Sequence, residues 1–210
     1  MKRFILGMVL ATACCLNLAA RGKADASKAN KQVLVIGLND NIRSNHFPTT
    51  MLSEETGLVV DSIDVAYNRA IAMNIVTSVK EGAALTFKAH EGIDRWESLL
   101  TNVTLEGENE ESYANLSNIA QAELEQLMEE ADADYLLILN QHYLKWQEEP
   151  LRTLFHFVSY SLYNKEKEEI TRGHNYFTCM KPENEMQLRK SSRKSSSKIA
   201  LAITKNVTTK

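Results

Sequence analysis

The chain has 210 residues, of which 44% are hydrophobic and 24% are charged, and its formal net charge is −3. This is the composition of an ordinary globular protein, and the length suits one domain around one sizeable core. A mildly acidic chain is a poor binder of nucleic acid, so we expect no nucleic-acid partner.

The first twenty residues predict an export signal. Lys2 and Arg3 form a basic start, and the 17 residues that follow, as far as Ala20, are predominantly apolar with small residues toward their end. Cleavage after Ala20 fits the sequence, and so does cleavage as late as Ala26, behind an A-x-A site. An uncleaved anchor is the alternative, although about 20 residues are needed to span a bilayer.

Export sets the expected organisation and location of the chain. We predict a signal peptide at 1–20, a disordered lead-in at 21–30 and a single domain at 31–207. Removal of residues 1–20 takes away two positive charges, so that the net charge of −3 becomes −5. The expected location is the periplasm or the outer membrane of a bacterium.

The cysteines leave one covalent modification open. Cys14 follows three small residues, as the lipidated cysteine of a bacterial lipobox does, but the usual leucine three residues before it is missing. Lipidation there would attach the protein to a membrane. In the mature chain only Cys179 remains, which excludes a disulfide within one chain and indicates a half-buried thiol at the end of a strand.

The first half of the domain alternates strand and helix patterns. Residues 33–38 form a β-branched apolar run that predicts a buried strand, and residues 41–60 predict a long loop. Asp61 and Ser62 occupy the N-cap position of a helix that ends before Gly82.

Shorter segments lead to the second half. Residues 83–89 predict a short strand, and 93–100 predict one or two helical turns. The acidic segment TLEGENEESYAN at 104–115 predicts a surface loop, and 116–131 returns to helical spacing.

Residues 133–177 predict an antiparallel meander of three strands, because apolar runs alternate with the turn segments QEEP and KEKEE. In the middle strand the side chains alternate between two faces. One face holds Leu154, His156, Val158, Tyr160 and Leu162, and the other holds Phe155, Phe157, Ser159, Ser161 and Tyr163. Since both faces carry bulky side chains, we expect this strand to be central in the sheet.

A closing helix is predicted at 186–207. Its inward face is narrow and rich in small residues, which suits close packing on a sheet: Leu188, Ser192, Ser195, Ile199, Ala202 and Ile203. Its outward face forms a basic ridge: Arg189, Lys190, Arg193, Lys194 and Lys198. Such a ridge fits anionic lipid headgroups or an acidic partner, and the alternative is a solvated helix face without a partner.

These elements predict an α/β fold, a single sandwich of two or three layers with a mixed sheet, a C-terminal antiparallel meander and a closing helix. Three segments carry a resemblance to a known family: VLVIGL at 33–38, ADADYLLILNQHYLKW at 131–146 and LFHFVSYSLYNKEKEEITRG at 154–173. The chain resembles the Rossmann-like α/β domain of bacterial cell-envelope proteins, found in the TolB amino-terminal domain and in CsgG-like outer-membrane lipoproteins.

The resemblance implies a location in the cell envelope and a function that depends on contacts with other proteins. The family has no catalytic residues that could be assigned to positions in this sequence. This sequence differs from the pattern in having KEKEE where the family commonly has a glycine-containing turn, and in its long 41–60 segment. It also lacks the propeller that follows the TolB domain, and it shows no pore-forming hairpins.

Few residues indicate a site for a nucleotide, another cofactor or a metal. No G-x-G-x-x-G or Walker pattern follows the first strand, so we expect no nucleotide and no other cofactor. No metal site is predicted, although three histidines on successive strands, His142, His156 and His174, would form one if they shared a face.

Two functional hypotheses follow. The first is an exported envelope accessory or assembly protein, not an enzyme, that binds other envelope proteins or its own copies. Its surfaces would be the 41–60 loop, the aromatics Tyr143 and Trp146 near a hairpin tip, or the basic ridge. The alternative is a small periplasmic hydrolase or ligand-binding protein with Asp40, His46 and Asp61 around the carboxyl end of the first strand.

Overall fold

The computed structural model describes residues 30–80, 83–90 and 94–208. The predicted signal peptide, the lead-in as far as residue 29 and Cys14 lie outside the described residues. The predicted fold class is confirmed, because the described residues form a mixed sheet with a C-terminal meander and closing helices.

The described elements follow one another from Lys31 to Thr208. The strands are β1 Lys31–Gly37, β2 Ile42–Ser44, β3 Leu85–Ala89, β4 Thr104–Glu106, β5 Tyr113–Asn115, β6 Tyr135–Gln147, β7 Thr153–Asn164 and β8 Glu169–Cys179. The helices are α1 Thr49–Thr56, α2 Ile63–Val76, α3 Asp94–Leu100, α4 Gln121–Glu130, α5 Glu185–Ser191 and α6 Arg193–Thr208. Short 3-10 turns lie at Val60–Ser62 and Asn109–Glu111.

The main sheet joins a parallel part to an antiparallel part. Its strand order is β3-β1-β6-β7-β8, and β2 pairs with β6 beyond the end of β1. β1 runs parallel to β3 and β6, whereas β6, β7 and β8 form the predicted antiparallel meander. β4 and β5 form a separate small antiparallel pair.

The sheet is the middle of three layers. Val33 and Val35 of β1 face one core, which α2, α5 and α6 cover, while Leu34 and Ile36 face a second core under α3 and α4. Burial on both faces explains the uninterrupted apolar run of β1, as is typical of a parallel strand.

Two predicted segments differ in the structure. The 41–60 segment is not a plain loop, since it contains β2 and α1, and α1 ends at Gly57 in the left-handed conformation with φ 70°. The 104–115 segment contains β4 and β5. β2, β4 and β5 have three residues each, too few for a periodic pattern. β2 depends on pairing with the distant β6, whereas β4 and β5 pair with each other.

The helix boundaries also differ. The closing helix is divided at Ser192 into α5 and α6, and the side chain of Asn184 caps α5 in a capping box with Gln187. α2 begins at Ile63 without a capping bond from the side chain of Ser62. The predicted inward face of the closing helix is confirmed, since Leu188, Ile199 and Ile203 are buried.

A close contact holds α2 against the carboxyl end of β1. The side-chain amide of Asn68 donates to the carbonyl of Leu38 at 2.9 Å, and the amide of Asn41 donates to Asn68 Oδ1 at 3.0 Å. This approach requires a glycine at position 37, because a Cβ there would lie 2.2 Å from Asn68 Cγ. The two asparagines therefore fill the place where many α/β sheets hold a ligand.

Replacing Gly37 tests this contact. We expect Gly37→Ala to lower the free energy of unfolding by about 1–3 kcal/mol, measured by urea denaturation, because the added methyl group overpacks the site. Asn68→Ala removes the obstructing side chain. The loss in the double variant is then smaller than the sum of the two single losses, and simple additivity would contradict the proposed contact.

Candidate protein-binding surface

The antiparallel meander extends beyond the end of β1. β1 pairs with β6 only as far as Leu139, whereas β6 continues to Gln147. The register between β6 and β7 shifts at Asn140, at the same point. We call the part of the meander beyond this shift the distal half; it comprises residues 141–147, 153–159 and 174–179.

The two faces of the distal half have different surroundings. On one face, Leu144, Leu154 and Val158 are buried in the core that α2 and α6 cover. On the opposite face, the core under α3 and α4 includes Ile138 of β6 but none of the described residues of the distal half. No α-helix of the described residues covers this face of the distal half, and the 3-10 turn Asn109–Glu111 packs on its inner end, where the side-chain amide of Gln141 donates to the carbonyl of Asn109.

This side carries four aromatic residues, Tyr143, Phe155, Phe157 and Tyr176, which we call the aromatic face. Tyr143, Phe157 and Tyr176 are direct neighbours across the three strands. The ring centroid of Phe157 lies 5.5 Å from that of Tyr176 and 6.1 Å from that of Phe155. Tyr176 is 54% exposed, and the two phenylalanines are half-buried. A contiguous aromatic patch of this kind is typical of binding surfaces.

Polar groups border the aromatic face. Lys145 Nζ lies 6.0 Å from the ring centroid of Phe157 and pairs with Glu110 at 3.2 Å. A hydrogen bond from its own backbone amide, aided by Lys145, lowers the pKa of Glu110. The imidazole of His174 lies 6.0 Å from Phe157, centroid to centroid, and so continues the aromatic surface. An apolar centre with a charged border is the arrangement common in protein interfaces.

The predicted pair of hairpin-tip aromatics does not form one exposed surface. Tyr143 is only 9% exposed, because it lies on an inner strand between Arg43 of β2 and Phe157 of β7. Trp146 is half-buried on the opposite face, where its ring stacks on His46 with centroids 5.9 Å apart. The prediction of Tyr143 as an exposed contact is therefore wrong, although its side chain lies on the same side of the sheet as that of Phe157.

The aromatic face ends at an open sheet edge. In the described part of the chain, β8 pairs only with β7. Its charged residues, Glu169 and Arg172, and a register shift lie in its first part. From His174 to Cys179 the strand has no proline, lysine or bulge, which are the features that usually protect an edge from pairing with another strand.

The structure brings together two of the three histidines that lie on successive strands of the meander. His142 Nε2 lies 3.0 Å from His156 Nδ1, inside the core beside Tyr67 and Phe177. His174 lies on the opposite face of the sheet, opposite Ser159. The described residues contain no group of three metal-ligating side chains.

The buried histidine pair is neutral. Burial lowers the pKa of His142 to about 3, and burial together with the neighbouring His142 lowers the pKa of His156 well below its ordinary value. The pair shares one hydrogen bond, so one ring nitrogen donates and the other accepts. Protonation of both rings would place two N–H groups against each other.

The predicted ligand site at the end of β1 is not assembled. Asp40 pairs with Arg43 at 3.3 Å, while His46 contacts Phe47 and Trp146. Asp61 lies exposed in the 3-10 turn before α2. In the structure as described, no hydrogen bond or ion pair joins any two of Asp40, His46 and Asp61.

Cys179 lies where it was predicted, half-buried at the end of β8 and outside any disulfide. Burial and a hydrogen bond with Glu183 raise the pKa of its thiol to about 12. The thiol is therefore protonated at neutral pH, which is unlike an activated nucleophile.

The basic ridge is formed as the sequence predicts. Arg189 and Lys190 of α5 and Arg193, Lys194 and Lys198 of α6 are all exposed. The ion pairs found among the described residues include none of these five. Across the same residues, no helix is long and apolar enough to cross a membrane.

No protein-family model and no curated protein matches this chain. A hypothetical protein of Chlamydia trachomatis has a similar structure, with 12% identity over 71% of this chain and 73% of that one, and a TM-score of 0.43. The PelC dodecamer of Paraburkholderia phytofirmans has 8% identity over 82% and 86%, with a TM-score of 0.38.

The LpoB C-terminal domain of Salmonella enterica is a third similar structure. It has 13% identity over 73% of this chain and 86% of that domain, with a TM-score of 0.30. All three TM-scores lie below 0.5, so these similarities carry no argument about the function of this chain. The resemblance to TolB-like and CsgG-like domains stays a prediction.

The histidine pair predicts how stability depends on pH. Each ring has a lower pKa in the folded chain than the ordinary value of about 6.5. The unfolded chain therefore binds more protons below pH 6.5, and the free energy of unfolding decreases as the pH is lowered. With a folded pKa near 3 for His142, its share of the loss reaches about 2 kcal/mol at pH 5. Urea denaturation at a series of pH values measures it.

Single glutamine variants identify the source of this loss. His142→Gln and His156→Gln are expected to reduce the fall in unfolding free energy between pH 6.5 and 5. His46→Asn, at an exposed histidine, is the control and leaves the fall unchanged. An undiminished fall in both core variants would show that other groups cause it.

Proposed function

We propose that this chain is an exported cell-envelope accessory protein that acts by binding protein through its aromatic face and the open edge of β8, and not by catalysis. The observation that carries the proposal is the aromatic face with its exposed Tyr176, which ends at an edge strand without proline, lysine or bulge from His174 to Cys179. The export signal predicted at 1–20 and the TolB-like and CsgG-like pattern support the location in the envelope.

The partner we propose for this surface is a second copy of the chain. Strand addition at an open edge is a common way of binding protein, because it satisfies main-chain hydrogen bonds along the strand. Two antiparallel β8 strands related by a twofold axis perpendicular to the sheet keep the same face of each sheet on the same side. Both aromatic faces then form one continuous surface.

The unprotected segment favours one register. If Tyr176 lies opposite Tyr176 of the second copy, His174 lies opposite Thr178, and the whole contact stays within the segment without charged residues. Aromatic side chains directly opposite each other stabilise antiparallel strands. The row of aromatics then runs from Phe157 through both tyrosines to Phe157 of the second copy.

Replacing Tyr176 by lysine tests the proposal. We expect the exported protein to dimerise and Tyr176→Lys to raise the dimer dissociation constant at least about tenfold, because a lysine on each edge places like charges opposite each other. Sedimentation velocity over a range of concentrations measures the dissociation constant.

Leu151→Lys is the matched control. Leu151 is 75% exposed and lies in the turn between β6 and β7, so this variant adds the same charge outside the proposed contact along β8 and leaves dimerisation unchanged. Circular dichroism of each variant establishes that the fold is retained. A protein that stays monomeric at every soluble concentration would overturn the proposal, as would equal effects of the two lysines.

A further inference from the structure

The outward side of α5 and α6 is positively charged, although the chain as a whole has a negative net charge. The whole protein has a net charge of −3, yet no acidic residue occurs from Met186 to Lys210. The five cations of the basic ridge project from this segment. Two large apolar side chains lie among them, Met186 at 66% exposure and Leu201 at 70% exposure.

The ridge is held rigidly on the core. Leu188, Ile199 and Ile203 anchor the two helices, and Ser195 Oγ donates to Asn175 of β8 at 3.2 Å. The side-chain amide of Asn74 on α2 donates to Ser192 Oγ at 2.9 Å, at the division between α5 and α6. The backbone positions from which the cations project are therefore fixed by the fold before any partner binds.

Helical spacing places the exposed apolar side chains beside the cations. Leu201 follows Lys198 by three residues and Lys194 by seven, so all three lie along one stripe of α6. Met186 precedes Arg189 by three residues on α5 in the same way. Cations and exposed apolar side chains along one helix surface match the phosphates and the acyl boundary of a lipid surface.

We propose that the outward side of α5 and α6 docks on an anionic phospholipid surface. The ridge cations bind headgroup phosphates, and Met186 and Leu201 enter the interfacial region. An acidic protein partner would match the charge but would need a matched pocket for each of the two exposed apolar side chains, whereas a lipid surface accepts both without a matched shape. The proposal rests on the ridge alone and does not depend on pairing at β8.

Vesicle binding of the exported protein tests this. It is compared on phosphatidylglycerol-rich and pure phosphatidylcholine vesicles by co-sedimentation at low salt. Each basic residue near an anionic surface contributes about 1 kcal/mol, or about fivefold in partitioning. We therefore expect Lys194→Gln/Lys198→Gln to lower partitioning onto the anionic vesicles about 30-fold. Leu201→Gln lowers partitioning onto the same vesicles without changing charge.

The control variant is Lys88→Gln/Arg152→Gln, which removes two exposed cations outside α5 and α6. It retains most of the binding if the ridge is the contact. No preference of the wild-type protein for anionic vesicles would overturn the proposal, as would equal losses in the two double variants. Since dimerisation is measured without vesicles, failure here is distinguishable from failure of the proposed function.

Discussion

The length of β6 is the constraint on which the rest of the structure depends. β6 has 13 residues, whereas β1, its parallel neighbour, has seven. A strand so much longer than its neighbour carries β7 and β8 with it beyond the layer of α3 and α4. The core on that side includes Ile138, and the next aromatic residue of β6, Tyr143, already lies on the aromatic face.

The two proposed surfaces belong to opposite sides of this sheet. The aromatic face lies on the side of the sheet opposite α2, α5 and α6, and the basic ridge lies on the outer surface of α5 and α6. A twofold axis perpendicular to the sheet at β8 would place the ridges of both copies on the same side. A dimer would then present two ridges to one lipid plane, and the aromatic surface would stay on the other side.

Sequence patterns predict the elements of this fold better than its surfaces. Alternation in β7 places Phe155 and Phe157 on one face, as the structure has them, but alternation does not say what covers a face. A signal was available in β8, where His174 and Thr178 share a face with Tyr176 and indicate contact with water. The separation of His174 from the other histidines depends on strand register, which pairing with β7 sets and local sequence does not.

The central claim is that two copies meet along β8 with Tyr176 opposite Tyr176, and cysteine cross-linking tests it most directly. In a Cys179→Ser background, one chain carries His174→Cys and another carries Thr178→Cys. Residues directly opposite on antiparallel strands have Cα atoms about 4.5–5.5 Å apart, which a disulfide spans. The claim predicts rapid oxidation to a mixed dimer, well above the self-linking of either variant alone. Cross-linking of the mixture no greater than that of the separate variants would contradict it.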